Sequence, residues 1–253
     1  MHLQVFGYVL EKLAHLINAV LLSNMILMNN LERKMNSPIT DTRSKSQGIE
    51  INKVLRNTYM LLAMTLTFSA LTATLATMMQ IGPTASLVLM LVGFGSLFVV
   101  SKNANSSKGI FWVFIFTGVM GASLGNMLNH YLAMEDGAAL IMQALGSTAI
   151  IFFALSAYVL TSRKDFSFMG GFLMAGMIAV IIAMVANIFL QIPLMQVVIS
   201  SVVVLIMSGM ILFDTSRIIN GGETNYINAT VSLYLNLFNM FVHLLILLNI
   251  LDD

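Results

Sequence analysis

Seven long apolar runs separated by short polar loops limit this chain more than any other feature. They are approximately Tyr59–Met79, Thr84–Val100, Ile110–Tyr131, Ala138–Thr161, Phe168–Leu190, Leu194–Ile219 and Tyr226–Leu251, and no Lys lies inside any of them. Crossing the hydrocarbon core of a bilayer takes about 20 apolar helical residues. Inside it every backbone N–H and C=O must be satisfied within the segment, so runs of this length must be helices. Transmembrane β-strands would be shorter and would alternate polar with apolar residues. Charged residues make up 9% of the chain, against about 25% in a soluble domain, too few to cover a water-facing surface. The chain therefore reads as an all-α integral membrane protein with seven transmembrane helices. All three prolines lie outside the spans, and Pro83 and Pro193 suit the first turn of the helix that follows each.

Residues 1–57 precede the spans. Within 1–34 the apolar run Leu13–Met28 is interrupted by His15, Asn18 and Asn24, and it falls short of a clean span. It also lacks the basic start and small-residue cleavage site of a signal peptide. Two readings stand. One is an amphipathic surface helix. The other is a mis-assigned start, with translation beginning at Met35 and Leu31-Glu32-Arg33-Lys34 encoded by purine-rich codons resembling a ribosome-binding site. Residues 35–57 carry Pro38, Asp41, Arg43, Lys45, Glu50, Lys53 and Arg56, and are expected to form a mobile polar tail in the cytoplasm.

Loop charges set the orientation. The tail is basic, Lys102 and Lys108 join spans two and three, Arg163 and Lys164 join spans four and five, and Arg217 lies where span six meets span seven. The alternate loops hold no Lys or Arg, Glu135-Asp136 is acidic, and so is the C-terminal Asp252-Asp253. By the positive-inside rule the N-terminus is cytoplasmic and the C-terminus lies outside, unless span seven dips in and returns.

Small residues mark helix contacts: Gly118, Gly121 and Gly125 in span three, Gly170, Gly171, Ala175 and Gly176 in span five, Ser208 and Gly209 in span six. Span one carries Thr65, Thr67, Thr72, Thr74 and Thr77, which can bond back to their own helix carbonyls. Asp214 stands apart as the one acid well inside an apolar run. A carboxylate in hydrocarbon costs about 2.5–3.5 kcal/mol on insertion scales, which makes it a functional candidate by default. Arg217 is three residues on, the same helix face, and an Asp214–Arg217 pair near the interface is the structural expectation. The functional one is a carboxylate that senses protons or binds a cation. In span seven Asn236, Asn239 and His243 share a face, either as a hydrogen-bonded seam between helices or as a polar path.

Much chemistry is ruled down. A net charge of +1 gives no case for nucleic acid. There is no Cys, the four His are scattered, and the 21 Met are read as flexible apolar filler. No metal site is firm. H-E-x-x-H does not occur. An intramembrane aspartyl protease needs two acids sharing a proton, and the position across from Asp214 is Asn236. No enzyme activity, catalytic residue or resident cofactor is expected.

Five stretches carry a resemblance: KVLRNTY at Lys53–Tyr59, SAYVLTSRKDFSFMGG at Ser156–Gly171, MVANIFLQIP at Met184–Pro193, ILFDTSRII at Ile211–Ile219 and GGETNYINATVSLY at Gly221–Tyr234. On these the chain resembles the Bax inhibitor-1 family, in its bacterial YccA-type branch, from about Asn52 to Leu248, with no counterpart for residues 1–34. The resemblance implies a seven-helix bundle with one central helix. It also implies an inner-membrane protein that associates with the FtsH (HflB) AAA protease as both its substrate and a brake on it. The exposed tail, with Asp41, Arg43 and Lys45, would then be the handle for the protease. For other members the resemblance implies a pH-sensitive calcium leak gated by two aspartates on the sixth and seventh helices. Asp214 matches the first, but Asn236 fills the second position, so a divalent cation loses one anionic oxygen. The surrounding lipid is the other expected partner, and the oligomeric state is left open.

Overall fold

The structure, a computed structural model, describes residues 42–252. The expectations for residues 1–34, and for Asp41, lie outside them. The chain forms α1 (Thr42–Met78), α2 (Pro83–Asn103), α3 (Lys108–Ser123), α4 (Gly125–Leu132), α5 (Gly137–Ser162), α6 (Gly170–Leu190, after a single 3-10 turn at Ser167–Met169), α7 (Pro193–Ile219) and α8 (Tyr226–Asp252). Among the described residues seven helical stretches are long and apolar enough to cross a membrane, α3 and α4 together making one of them. Span seven runs 25 residues, Tyr226–Ile250, or roughly 37 Å at 1.5 Å per residue, enough for a full crossing by length.

Helix ends follow local chemistry. Pro83 and Pro193 open α2 and α7, where the missing N–H leaves no hydrogen bond unmade. α5 and α6 stop at Arg163 and Gln191, whose φ of 52° and 50° reverses the backbone. Each cap returns its N–H to the last turn, on Val159 and Asn187. Span three breaks at Leu124. Its N–H bonds Gly121 O at 3.0 Å, a tightened turn, before α4 resumes with Leu128 N–H on Leu124 O at 2.9 Å.

α1 differs from expectation at its start. The polar segment ahead of Tyr59 is helical from Thr42 rather than a mobile tail, and Leu55 and Thr58 are already buried. No proline interrupts it, and once a helix is nucleated each added residue gains a hydrogen bond at little cost. Arg43 and Lys45 therefore fall in the opening turns of α1.

The helices divide into two units. One holds α1–α4 and the first turns of α8, Tyr226–Val231; the other holds α5–α7 and the rest of α8. In the first, α3 packs on both α1 and α2. Gly121 and Gly125 allow that approach: a Cβ on Gly121 would strike the Ser69 carbonyl of α1, and one on Gly125 would lie 2.7 Å from the Ala76 Cβ. The five span-one threonines all bond back to their own helix, from Thr65 on Leu62 O at 3.0 Å to Thr77 on Ala73 O at 2.8 Å. In the second unit α7 packs on α5 and α6. Gly170 and Gly176 sit against Phe213 and Ile206 of α7, and Gly209 against Leu173 of α6. Gly171, also expected at a contact, faces open space.

Candidate functional site

Asp214 comes from the last turns of α7, five residues before its end at Ile219, roughly 7 Å along the axis. Asn236 comes from α8. The two side chains meet: Asn236 Nδ2 donates to Asp214 Oδ2 at 2.8 Å, with Asp214 6% and Asn236 4% exposed. Ile211 and Met240, each one turn away on its own helix, are fully buried. An acid with so little water needs a polar partner, because a buried polar group without one costs about 1–3 kcal/mol and a charged one more.

The orientation of the amide limits the chemistry. Asn236 turns its N–H side to the carboxylate, so it supplies a donor and not an oxygen. It can hold one negative charge or one neutral acid in place. A cation between the two would need the amide to flip, and would then find one carboxylate and one amide oxygen, where calcium takes about six to eight oxygen ligands in total. Among the described residues no three His, Cys, Asp or Glu side chains come together.

Arg217 does not form the expected pair with Asp214. Its Nη2 donates to Gly222 O at 3.2 Å and lies 3.7 Å from Glu223 Oε2, and its guanidinium sits 5.4 Å from the Phe213 ring centroid. The arginine is 36% exposed. Spacing of three residues allows either direction, and water decides it: the guanidinium stays hydrated by turning to the loop, whereas reaching Asp214 would bury it. Asn239 is spent on its own helix, donating to Leu235 O at 2.8 Å. His243 shares a hydrogen bond with Ser200 of α7, Nδ1 to Oγ at 3.1 Å, both buried. The shared face of α8 thus carries two separate bonds to α7, through Asn236 and His243, with Asn239 joining neither.

Two polar anchors escaped the sequence reading. Ser216, fully buried in α7, accepts the Phe166 N–H at 2.8 Å and the Asn220 amide at 3.2 Å. Its own hydroxyl lies within reach of Lys164 O and Asp165 Oδ1. It ties the α5–α6 loop to α7 two residues beyond Asp214. Asn225 caps α8, Oδ1 accepting from Ile227 and Asn228, while Nδ2 donates to Ala104 O and Asn105 Oδ1 of the α2–α3 loop. An Asn just ahead of an apolar run was the available signal for the cap; nothing local marks Ser216.

The family described as "Inhibitor of apoptosis-promoting Bax1" matches residues 51–253. The chain is 53% identical over 215 residues to the modulator of FtsH protease YccA of Escherichia coli strain K12, covering 85% of this chain and 97% of that protein. The same figures hold for the inner membrane protein YccA of Escherichia coli O6:H1. An uncharacterized membrane protein of Vibrio cholerae is 52% identical over 221 residues, 87% of this chain and 99% of its own.

Proposed function

The chain belongs to the Bax inhibitor-1 family, and from that premise we propose that it is an inner-membrane protein that binds and modulates the FtsH (HflB) AAA protease and is also its substrate. One observation carries the reading: 53% identity, along almost the full length of the relative, to a protein named as a modulator of that protease. The loop charges support a cytoplasmic N-terminus and a periplasmic C-terminus. In that orientation the polar stretch with Asp41, Arg43 and Lys45 is presented on the cytoplasmic side as the handle, and the packed spans resist extraction. Nothing in the reading calls for an enzyme activity. Co-purification from detergent tests it. FtsH is expected in the eluate of the full chain and reduced when residues 35–49 are deleted; an eluate free of FtsH in both cases overturns the proposal.

A second reading has its own observation, the buried Asp214 within α7. It is a cation or proton leak with Asp214 as the gate. A flux assay in liposomes compares the wild type with Asp214→Asn. Equal calcium flux at neutral and low pH in both removes Asp214 from any such role.

A further inference from the structure

The α5–α6 loop lies between two spans, Gly137–Ser162 and Ser167–Leu190. Residues 163–166 therefore sit where hydrocarbon gives way to headgroups, the level at which amphipathic rings and cations collect. Lys164 is exposed and donates through Nζ to Tyr158 Oη at 3.3 Å, with the ammonium 5.9 Å from that ring's centroid. The Tyr158 ring is 6.1 Å from Phe166, and Phe166 stacks on Phe168 at 6.5 Å and 28°. Phe168 is 80% exposed and Phe172, one turn on, 77%. The result is a short aromatic shelf, open on its outer side, with cations along it.

The shelf is held in place. Phe166 N–H is fixed on Ser216, and the Ser167 N–H on Asp165 Oδ1 at 2.8 Å. Asp165, the one negative group of the loop, is thereby turned onto Ser167 and Ser216. Lys164 uses one of its three N–H donors on Tyr158. Among the described residues the exposed Arg163 guanidinium has no hydrogen bond or ion pair. A planar fork of donors and an ammonium with two N–H groups left match phosphate oxygens, and an ordered loop loses little freedom on binding.

We propose that this loop binds the phosphate headgroup of an anionic phospholipid. Arg163 and Lys164 hold the phosphate oxygens, and Tyr158, Phe166 and Phe168 lie against the glycerol and the upper acyl chains. Charge selects an anionic over a zwitterionic lipid, and the exposed rings select a lipid over a free anion.

Native mass spectrometry of the full chain, titrated with phosphatidylglycerol and phosphatidylethanolamine in detergent, tests this. The wild type is expected to retain phosphatidylglycerol preferentially. R163Q/K164Q is expected to weaken that retention about 30-fold, while K102Q/K108Q in the α2–α3 loop leaves it within about twofold. R163K/K164R, which keeps both charges, should bind nearly as the wild type, and F168A should weaken binding without changing the headgroup preference. Three results overturn the proposal: equal retention by R163Q/K164Q and wild type, an equal loss in K102Q/K108Q, or full displacement of the lipid by inorganic phosphate.

Discussion

Removing Asn236 is the most direct probe of the buried pair. Among the described residues Asn236 makes the one side-chain hydrogen bond to Asp214, at 2.8 Å. Hydrogen bonds to charged groups contribute about 1.5–3 kcal/mol, and those between neutral groups about 0.5–1.5. In a chain of this size 1 kcal/mol shifts the midpoint of thermal unfolding by about 2–4 °C. Asn236→Ala is therefore expected to lower the midpoint by about 3–12 °C if Asp214 is ionised and by about 1–6 °C if it is neutral, followed by far-UV circular dichroism in detergent. Part of that loss is the missing side-chain volume, so the pair is isolated by a double-mutant cycle with Asp214→Ala. Once the acid is gone, the amide has nothing to satisfy, and the second truncation costs much less. A coupling of about 1.5–3 kcal/mol marks an ionised Asp214, and one near 1 a neutral acid. If the two single losses add to the double within about 0.5 kcal/mol, the pair carries no energy and the reasoning fails.

Four further outcomes follow from the packing and the loops. Gly121→Ala drives a methyl group into the Ser69 carbonyl of α1 and should destabilise by about 1–3 kcal/mol. Gly146→Ala meets nothing within 4 Å and should stabilise by up to about 1 kcal/mol through helix propensity; thermal midpoints moving the same way in both would contradict the packing account. Asn225→Ala removes the cap on Ile227 and Asn228 at a cost of about 1 kcal/mol, visible as faster amide exchange in the first turn of α8. The Ser167 hydroxyl and backbone N–H hold the Asp165 carboxyl below the ordinary carboxylate range. A group depressed in the folded state stabilises above its unfolded value, near ~3.9, and loses that contribution as pH falls through its folded value. Amide protection factors across residues 163–169, which remove the intrinsic slowing of exchange in acid, should therefore fall on acidification below about pH 4 in the wild type and hold steady in Asp165→Asn.

The architecture was legible because the membrane makes it so. Apolar length fixes the spans, and the starts at Pro83 and Pro193 fell where a residue without an N–H costs nothing. Thr65 to Thr77 behave as their helix position dictates, since the nearest acceptor in hydrocarbon is the helix's own carbonyl. Asp214 and Asn236 were named from sequence as facing polar residues, and they bond. Arg217 was misdirected, because spacing states which groups can meet and not which of them keeps its water. Asn239 was grouped with Asn236 and His243 on one face, yet its amide finds a carbonyl on its own helix first. Ser216 was invisible: a small hydroxyl gains its meaning from Phe166 and Lys164, some fifty residues away in the chain. The close approach of Gly121 and Gly125 to α1 is likewise a tertiary fact that glycine spacing suggests without locating.

The Asp214–Asn236 bond also has a consequence for how the protein is made. The two residues are 22 apart in the chain, and the acid leaves the ribosome first. At about 5–20 residues per second, roughly one to four seconds pass before the amide follows. During that interval α7 enters the bilayer on its own apolar content, about 0.3–0.6 kcal/mol for each Leu, Ile, Val or Phe, set against an acid that costs less than the about 2.5–3.5 kcal/mol of a central one because Asp214 lies in the last turns. α7 is rich in these residues, with a mean hydropathy of 2.4 over its most apolar stretch. That surplus lets the helix insert before its partner exists, so the order of synthesis constrains the composition of α7 as firmly as the finished fold does.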